Sequence, residues 1–130
     1  MSEIVLDASA LLAILQGEPG AEVFSKHIEL LEDTVMSAVN VAETYSKLVA
    51  LSIDPDDAWR AVSAAIPAIV NYDAEQARLT GQLVPRTRAL GLSLGDRACL
   101  ALGMSLKAPV YTADRSWSRL RLGVKVHVIR

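Results

Sequence analysis

The order of short apolar runs and helix-forming stretches is the feature that most constrains how this chain can fold. Most of these runs lead directly into a stretch of helix formers, as residues 3–6 lead into residues 8–15. Strands that alternate with helices favour parallel pairing, with helices packed on both faces of the sheet. We therefore predict one α/β domain over residues 1–130, an α/β/α sandwich around a mainly parallel sheet. Its predicted strands are residues 3–6, 34–37, 68–70, 110–112 and 126–129.

Capping residues and helix breakers indicate where the helices begin and end. Apolar spacing predicts a helix over about 21–31, and Asn40 is expected to open the next one. Asp73 is expected to cap a long helix near 74–90, which Pro85 should kink or divide.

Acidic residues stand where strands or loops enter helices. Asp7, Asp96 and Asp114 occupy such junctions, and Glu43 lies one turn into its helix. In an open parallel sheet these positions gather at the carboxyl ends of the strands, where ligands bind. Four converging carboxylates would repel one another unless a divalent cation compensates their charge, and oxygen ligands favour Mg²⁺ or Mn²⁺.

Helix capping is the alternative explanation for the same acids. Asn40 and Glu43 have the spacing of a capping box, and Ser93 with Asp96 fits a variant of it. Each acid taken singly fits a cap as well as a metal ligand. Their shared positions at the strand ends favour the metal site.

Four segments at these junctions then resemble one known family. They are Ile4–Ala10 (IVLDASA), Ser37–Glu43 (SAVNVAE), Gly91–Leu102 (GLSLGDRACLAL) and Val110–Asp114 (VYTAD). The chain resembles the PIN-domain family, and specifically the VapC-type toxins of bacterial type II toxin–antitoxin systems, over essentially its whole length. The resemblance implies a PIN-like sandwich with a twisted, mainly parallel sheet of about five strands.

The resemblance also implies a set of site residues. The acidic quartet that binds metal and performs catalysis would be Asp7, Glu43, Asp96 and Asp114. Ser9 and Thr112 would support the quartet, and Asn40 would orient Glu43 if it does not simply cap the helix.

The activity implied by the resemblance is hydrolysis of RNA phosphodiester bonds by a water that bound Mg²⁺ or Mn²⁺ activates. Arg97, Arg115 and Lys47 are candidate phosphate contacts, with a solvated surface charge as the alternative for each. A structured RNA such as tRNA is a candidate substrate, and rRNA and mRNA stay open.

The resemblance further implies a VapB-type antitoxin that lies in an apolar groove, and a homodimer. Leu11, Leu12 and Leu15 with Trp59 are candidates for lining that groove, and ordinary core packing is the alternative. DNA would be contacted only through the antitoxin. The sequence shows no signal peptide and no membrane-spanning run, so we expect a cytoplasmic protein.

Composition gives no general sign of nucleic-acid binding. The formal net charge is −2 and the sequence pI is near 5.6, so the chain as a whole is not basic. Cys99 is the only cysteine, which excludes an intramolecular disulfide and a multi-cysteine metal site.

Two rival classes remain. A phosphoryl-transfer or receiver-type domain should have a second acid in its first strand motif or a Lys at the end of a late strand. Asp7-Ala8-Ser9 lacks that acid, and the strand 110–112 leads into Ala113-Asp114 without a Lys. A catalytically silent PIN-fold binding module would fold normally and cleave nothing.

Overall fold

A computed structural model describes residues 3–130, and the secondary structure below refers to that range. Within it, no helix combines the length and the apolar character needed to cross a bilayer. The strands are β1 (Ile4–Leu6), β2 (Thr34–Ser37), β3 (Ala68–Val70), β4 (Val110–Thr112) and β5 (Val126–Val128). The α-helices are α1 (Ala8–Gln16), α2 (Glu22–Lys26), α3 (Glu29–Glu32), α4 (Ala38–Ala50), α5 (Pro55–Ala65), α6 (Ala74–Gln82), α7 (Val84–Thr87) and α8 (Leu94–Leu106). Two 3-10 helices, Arg88–Leu90 and Arg115–Arg119, complete the fold.

The five strands form one sheet in the order β3-β2-β1-β4-β5. Every pairing is parallel, and Val5 on the central strand is in register with Val35 on one side and Val110 on the other. The predicted parallel α/β/α architecture is confirmed. Its order places the carboxyl ends of β1 and β4 side by side, because these two strands are direct neighbours.

Side chains alternate across the sheet and build an apolar core on each face. Ile4 and Leu6 pack on one face with α1, α4 and α5, whereas Val5 packs on the other against α8. Leu11 and Leu12 belong to the first core and are 0% and 9% exposed. The prediction that they line a groove for a partner is therefore wrong, because folding against the sheet already buries them.

The helix predicted over 21–31 is divided into α2 and α3. His27 ends α2 with φ −133° and ψ 66°, far from helical values, so the apolar spacing does not continue through one helix. Asn40 also does not open its helix: α4 begins at Ala38, and Ser37 caps it by accepting a hydrogen bond from the Val39 N–H. The expected division at Pro85 is confirmed.

Candidate functional site

Asp7 lies at the centre of the candidate site, between the end of β1 and the start of α1. It caps α1 by accepting a 2.8 Å hydrogen bond from the Ala10 N–H on Oδ1. Its side chain is also held by two hydroxyls. Ser9 Oγ lies 2.7 Å from Oδ1 and 2.9 Å from Oδ2, and Thr112 Oγ1 lies 2.6 Å from Oδ2.

The segment after β4 orients both hydroxyls toward Asp7. Ser9 Oγ accepts a hydrogen bond from the Ala113 N–H at 2.9 Å, and Thr112 Oγ1 accepts one from the Asp114 N–H at 3.0 Å. Each hydroxyl carries a single proton, which it donates to the Asp7 carboxylate. The predicted supporting contacts of Ser9 and Thr112 are therefore present, and they hold Asp7 as a hydrogen-bond acceptor on both oxygens.

Burial and hydrogen bonding act on Asp7 in opposite directions. The pKa of the Asp7 carboxyl is raised from an ordinary 3.8 to about 6, and burial of this 4% exposed residue is the largest cause. The hydrogen bonds from Thr112, Ala10 and Ser9 lower the pKa, and the nearby charge of Asp96 raises it further. A bound cation would favour the ionised form and offset the cost of burial.

Glu43 is positioned by α4 and by the start of α8. Asn40 Nδ2 donates to Glu43 Oε1 at 2.8 Å and to the Gly95 carbonyl at 2.9 Å, so one buried amide joins the two helices. The Glu43 carboxylate lies against Gly95, where a Cβ atom would overlap it. Because Asn40 is inside α4, the capping-box explanation for Asn40 and Glu43 is wrong. The observed contact is the hydrogen bond from the Asn40 side chain, which orients Glu43.

Asp96 forms a capping box with Ser93, as the capping explanation predicts. Its Oδ2 accepts the Ser93 N–H at 3.0 Å, and Ser93 Oγ accepts the Asp96 N–H at 3.1 Å. This capping box fixes the start of α8 and holds the half-buried Asp96 side chain in place. Capping and a role in the site are compatible here, because Asp96 Oδ1 makes no hydrogen bond within residues 3–130.

Asp114 is the exposed member of the predicted quartet. It caps the Arg115–Arg119 helix, and its Oδ1 accepts hydrogen bonds from Ser116 N–H at 2.9 Å and Ser116 Oγ at 2.8 Å. Thr112 connects it to Asp7, since the Thr112 hydroxyl contacts both residues. Asp114 therefore lies at the rim of the site.

Cys99 is a buried thiol whose pKa is affected by the other three acids. This buried thiol lies one helical turn beyond Asp96 on α8. Burial raises the pKa of Cys99 well above its ordinary value, and the charges of Asp7, Asp96 and Glu43 raise it further. Three acids that are far apart in the chain therefore affect the pKa of the same thiol.

The donor set fits a hard divalent cation in its chemistry. Glu43, Asp96 and Asp114 each use one carboxylate oxygen in the hydrogen bonds above and leave the other without a protein partner among the described residues. Asn40 Oδ1 adds a buried acceptor that has no partner there. Yet no three acidic, histidine or cysteine groups of residues 3–130 already stand in a metal-binding arrangement. Binding would therefore require side-chain adjustment.

The three predicted phosphate contacts lie in different surroundings. Arg97 Nη1 donates to the Thr80 carbonyl at 3.1 Å and so fastens α8 to α6. Arg115 is exposed beside Asp114, and its Nε donates to the Arg130 carbonyl at 3.1 Å. Lys47 is exposed in the last turn of α4.

The fold and the site can now be compared with known proteins. The sequence matches the PIN domain family over residues 4–122, which is most of its length. The chain belongs to the PIN-domain family. The phosphoryl-transfer alternative is set aside by this membership. A comparison with curated protein sequences finds no match for this PIN-domain chain.

Solved structures share the fold at low sequence identity. The DNA-bound VapBC structure from Salmonella typhimurium matches with a TM-score of 0.78 and 17% identity, covering 100% of both chains. VapBC2 from Rickettsia felis, bound to a promoter DNA fragment, matches with a TM-score of 0.76 and 15% identity, covering 98% of each chain. VapC20 from Mycobacterium tuberculosis, a sarcin–ricin loop cleaving toxin, matches with a TM-score of 0.73 and 16% identity, covering 95% of this chain and 99% of that one.

Two positions that sequence reasoning missed help to build the site. Gly95 leaves the space that the Glu43 carboxylate occupies, and Ser116 holds Asp114. A glycine in the first turn of a helix, directly before an acid, is a signal that a close approach is needed there. No local pattern could have paired Gly95 with Glu43, because 52 positions separate them in the chain.

Proposed function

We propose that this chain is a single PIN domain that acts as a divalent-metal-dependent endoribonuclease, the VapC-type toxin of a type II toxin–antitoxin system. The observation that carries the proposal is that buried contacts between distant elements position the predicted acids. The Thr112 hydroxyl links Asp7 with Asp114, and the Asn40 amide holds Glu43 to the Gly95 carbonyl, directly before Asp96. Membership of the PIN family supports it, as do the structural neighbours, which include a toxin–antitoxin complex and a sarcin–ricin loop cleaving toxin.

Asp7 and Asp96 would be the principal residues that hold Mg²⁺ or Mn²⁺, and Glu43 and Asp114 would complete the site. When bound, the cation supplies a counter-charge for the scissile phosphate and lowers the pKa of the attacking water. In the proposed hydrolysis, water attacks phosphorus and the bond to the 3′ oxygen breaks, leaving a 5′-phosphate and a 3′-hydroxyl. No serine, cysteine or histidine nucleophile takes part.

The protein's own contribution is to hold the carboxylates in position. Ser9, Thr112 and the Ala10 N–H donate to Asp7 and keep both of its oxygens as acceptors. Asn40 holds Glu43 toward the start of α8. These contacts restrain the side chains and so limit the freedom lost in the adjustment that metal binding requires.

A nuclease assay of the purified chain, free of partner, tests the proposal. We expect cleavage of RNA with Mg²⁺ or Mn²⁺, none with EDTA, and loss of activity in Asp7→Asn and Asp96→Asn. Cleavage that both substitutions leave unchanged would contradict the proposed site. A second experiment sequences RNA ends after controlled expression of wild type and Asp7→Asn. It identifies the substrate, for which tRNA is one candidate. It also detects cleavage when the RNA offered in the purified assay is not the substrate.

The proposed partners are a VapB-type antitoxin and a second copy of the chain, with DNA contacted through the antitoxin. The surface that supports an apolar contact is the α4–α5 corner, since Leu51 is 59% and Trp59 is 45% exposed. Trp59 packs edge-on against Tyr45, with ring centroids 5.4 Å apart, and is thereby held in place. Co-purification with the product of the adjacent gene tests the antitoxin, and Trp59→Ala should weaken that complex.

A further inference from the structure

The chain's charge is very unevenly distributed. Residues 86–130 contain nine Lys and Arg and two Asp, a net charge of +7, whereas residues 1–85 contain four Lys and Arg and thirteen Asp and Glu, a net charge of −9. The overall net charge of −2 therefore conceals a strongly basic C-terminal segment, residues 86–130. Such a charge concentration attracts polyanions even when the whole chain is acidic.

The basic residues follow the path from the site to β5. The Arg115–Arg119 helix starts directly after Asp114, and the chain then passes Arg121 and reaches β5 after Lys125. All four basic side chains of this stretch are exposed, and it contains no acid. A 3-10 helix rises about 2 Å per residue, so the basic residues of this five-residue helix extend over roughly 10 Å from Asp114.

Two neighbouring elements add positive charge to the same path. Arg86 of α7 donates from Nη2 to the Arg121 carbonyl at 2.6 Å, which places the Arg86 guanidinium beside the backbone of Arg121. Lys107 and Lys125 line one cavity of about 630 Å³, whose other lining is mainly apolar, including Met104 and Leu122. We call this set the basic face: Arg86, Lys107, Arg115, Arg119, Arg121 and Lys125.

The basic face is not neutralised by the protein. Arg60, Arg78 and Arg130 each pair with a carboxylate, namely Asp57, Glu75 and Glu18. Among residues 3–130, no carboxylate lies within ion-pair distance of a basic-face side chain. Holding like charges together without a counter-ion costs free energy, which an external anion would recover.

We propose that the basic face binds the phosphate backbone of an RNA strand outside the cleavage site and leads it toward the acidic residues. This inference rests on the proposed ribonuclease function. An arginine that gives one N–H to a carbonyl, as Arg86 does, retains four donors for phosphate oxygens. Contacts of this kind position a strand and carry no sequence information. Target choice must then depend on other contacts.

Binding measured without cleavage tests the basic face. The probe is a fluorescein-labelled single-stranded RNA of mixed sequence, followed by anisotropy in EDTA at several salt concentrations. The test variant is Arg119→Gln with Lys125→Gln, because neither side chain makes a hydrogen bond or ion pair within residues 3–130. We expect roughly tenfold weaker binding and a salt dependence shallower by about 1.4 in log–log slope, the value for two lost phosphate contacts on a single strand.

The matched control is Arg60→Gln with Arg78→Gln, which removes the same charge from exposed arginines that are already paired. Its binding should equal wild type. Equal losses in the two double variants, no loss in the test variant, or no measurable wild-type binding at low salt would each overturn the inference. A preference for duplex DNA that depends on Arg119 and Lys125 would assign the surface to DNA instead.

The two proposals fail in distinguishable ways. If RNA binding depends on Arg119 and Lys125, but purified RNA is not cleaved with Mg²⁺ or Mn²⁺ and expression yields no Asp7-dependent RNA ends, the ribonuclease proposal fails. RNA binding by the basic face then stands. If cleavage depends on Asp7 but RNA binding does not depend on Arg119 and Lys125, only the proposal for the basic face fails.

Discussion

The side chain of Thr112, at the end of β4, donates a 2.6 Å hydrogen bond to the carboxylate of Asp7, at the end of β1. The two residues are 105 positions apart in the chain, and both are buried. This contact ties together the two central strand ends and fixes the most buried acid of the site. It therefore connects the stability of the fold with the proposed chemistry, and both can be measured in the same variants.

Replacing the Thr112 hydroxyl should affect stability and activity together. Thr112→Val keeps the shape but removes the donor to Asp7 and the acceptor of the Asp114 N–H. We expect a loss of about 1–3 kcal/mol in the free energy of unfolding, since buried polar groups lose their partners. Urea denaturation measures this loss. Thr112→Ser, which retains the hydroxyl, should keep most of the cleavage activity, and equal activity in the two variants would exclude a role for the hydrogen bond.

Asp7 should make the metal-free protein less stable as pH rises. Its pKa is about 6 in the folded chain and 3.8 ordinarily, so the folded state binds the proton more tightly. The stability associated with that proton is fully present below pH 3.8 and is lost as pH rises through about 6. Between pH 5 and pH 7 the loss amounts to about 1 kcal/mol.

Urea denaturation in EDTA at several pH values measures this component. Asp7→Asn cannot titrate at this position and should lack it, while all other titrating groups remain. A pH dependence of unfolding that is the same in wild type and Asp7→Asn would show that the carboxyl of Asp7 is not perturbed as described.

Gly95→Ala should lower activity without unfolding the protein. The added Cβ would overlap the Glu43 carboxylate, which is the end of a flexible side chain and can move away. Displacement breaks the contact with Asn40, and we expect cleavage to fall at least roughly tenfold, as misplaced site groups cost that much or more. Thermal unfolding and cleavage assays on the same preparation separate the two effects.

Gly81 of α6 is the matched control, since nothing lies within 4 Å of a Cβ atom there. Gly81→Ala should stabilise the protein by up to about 1 kcal/mol through helix propensity and leave cleavage unchanged. Full activity in Gly95→Ala would mean that the position of Glu43 is unimportant for the reaction.

Cys99 should be unreactive in the folded protein. Its thiol is buried, and burial together with the surrounding acids raises its pKa, so the reactive thiolate is disfavoured. Labelling with Ellman's reagent should be slow in buffer and rapid in urea. Rapid stoichiometric labelling of the native protein would show that the reagent reaches the Cys99 thiol and that the thiol is not protected by burial.

The sequence by itself determined the strands, most of the helices and their order. Strand ends, the caps Asp7 and Asp73, and the interruption at Pro85 depend on neighbours within a few residues, so local rules predict them. The same local rules could not distinguish a capping acid from a site acid. Asp96 shows why, because its carboxylate caps α8 with one oxygen and its charge also raises the pKa of Asp7.

Only the tertiary structure decided which of these residues meet. The strand order brings Asp7 to Thr112, and the packing of α4 against α8 brings Asn40 to the Gly95 carbonyl. It also buried Leu11 and Leu12, whose pattern fits a core and a docking groove equally well. These outcomes depend on contacts between residues far apart in the chain, and local propensity carries no information about such contacts.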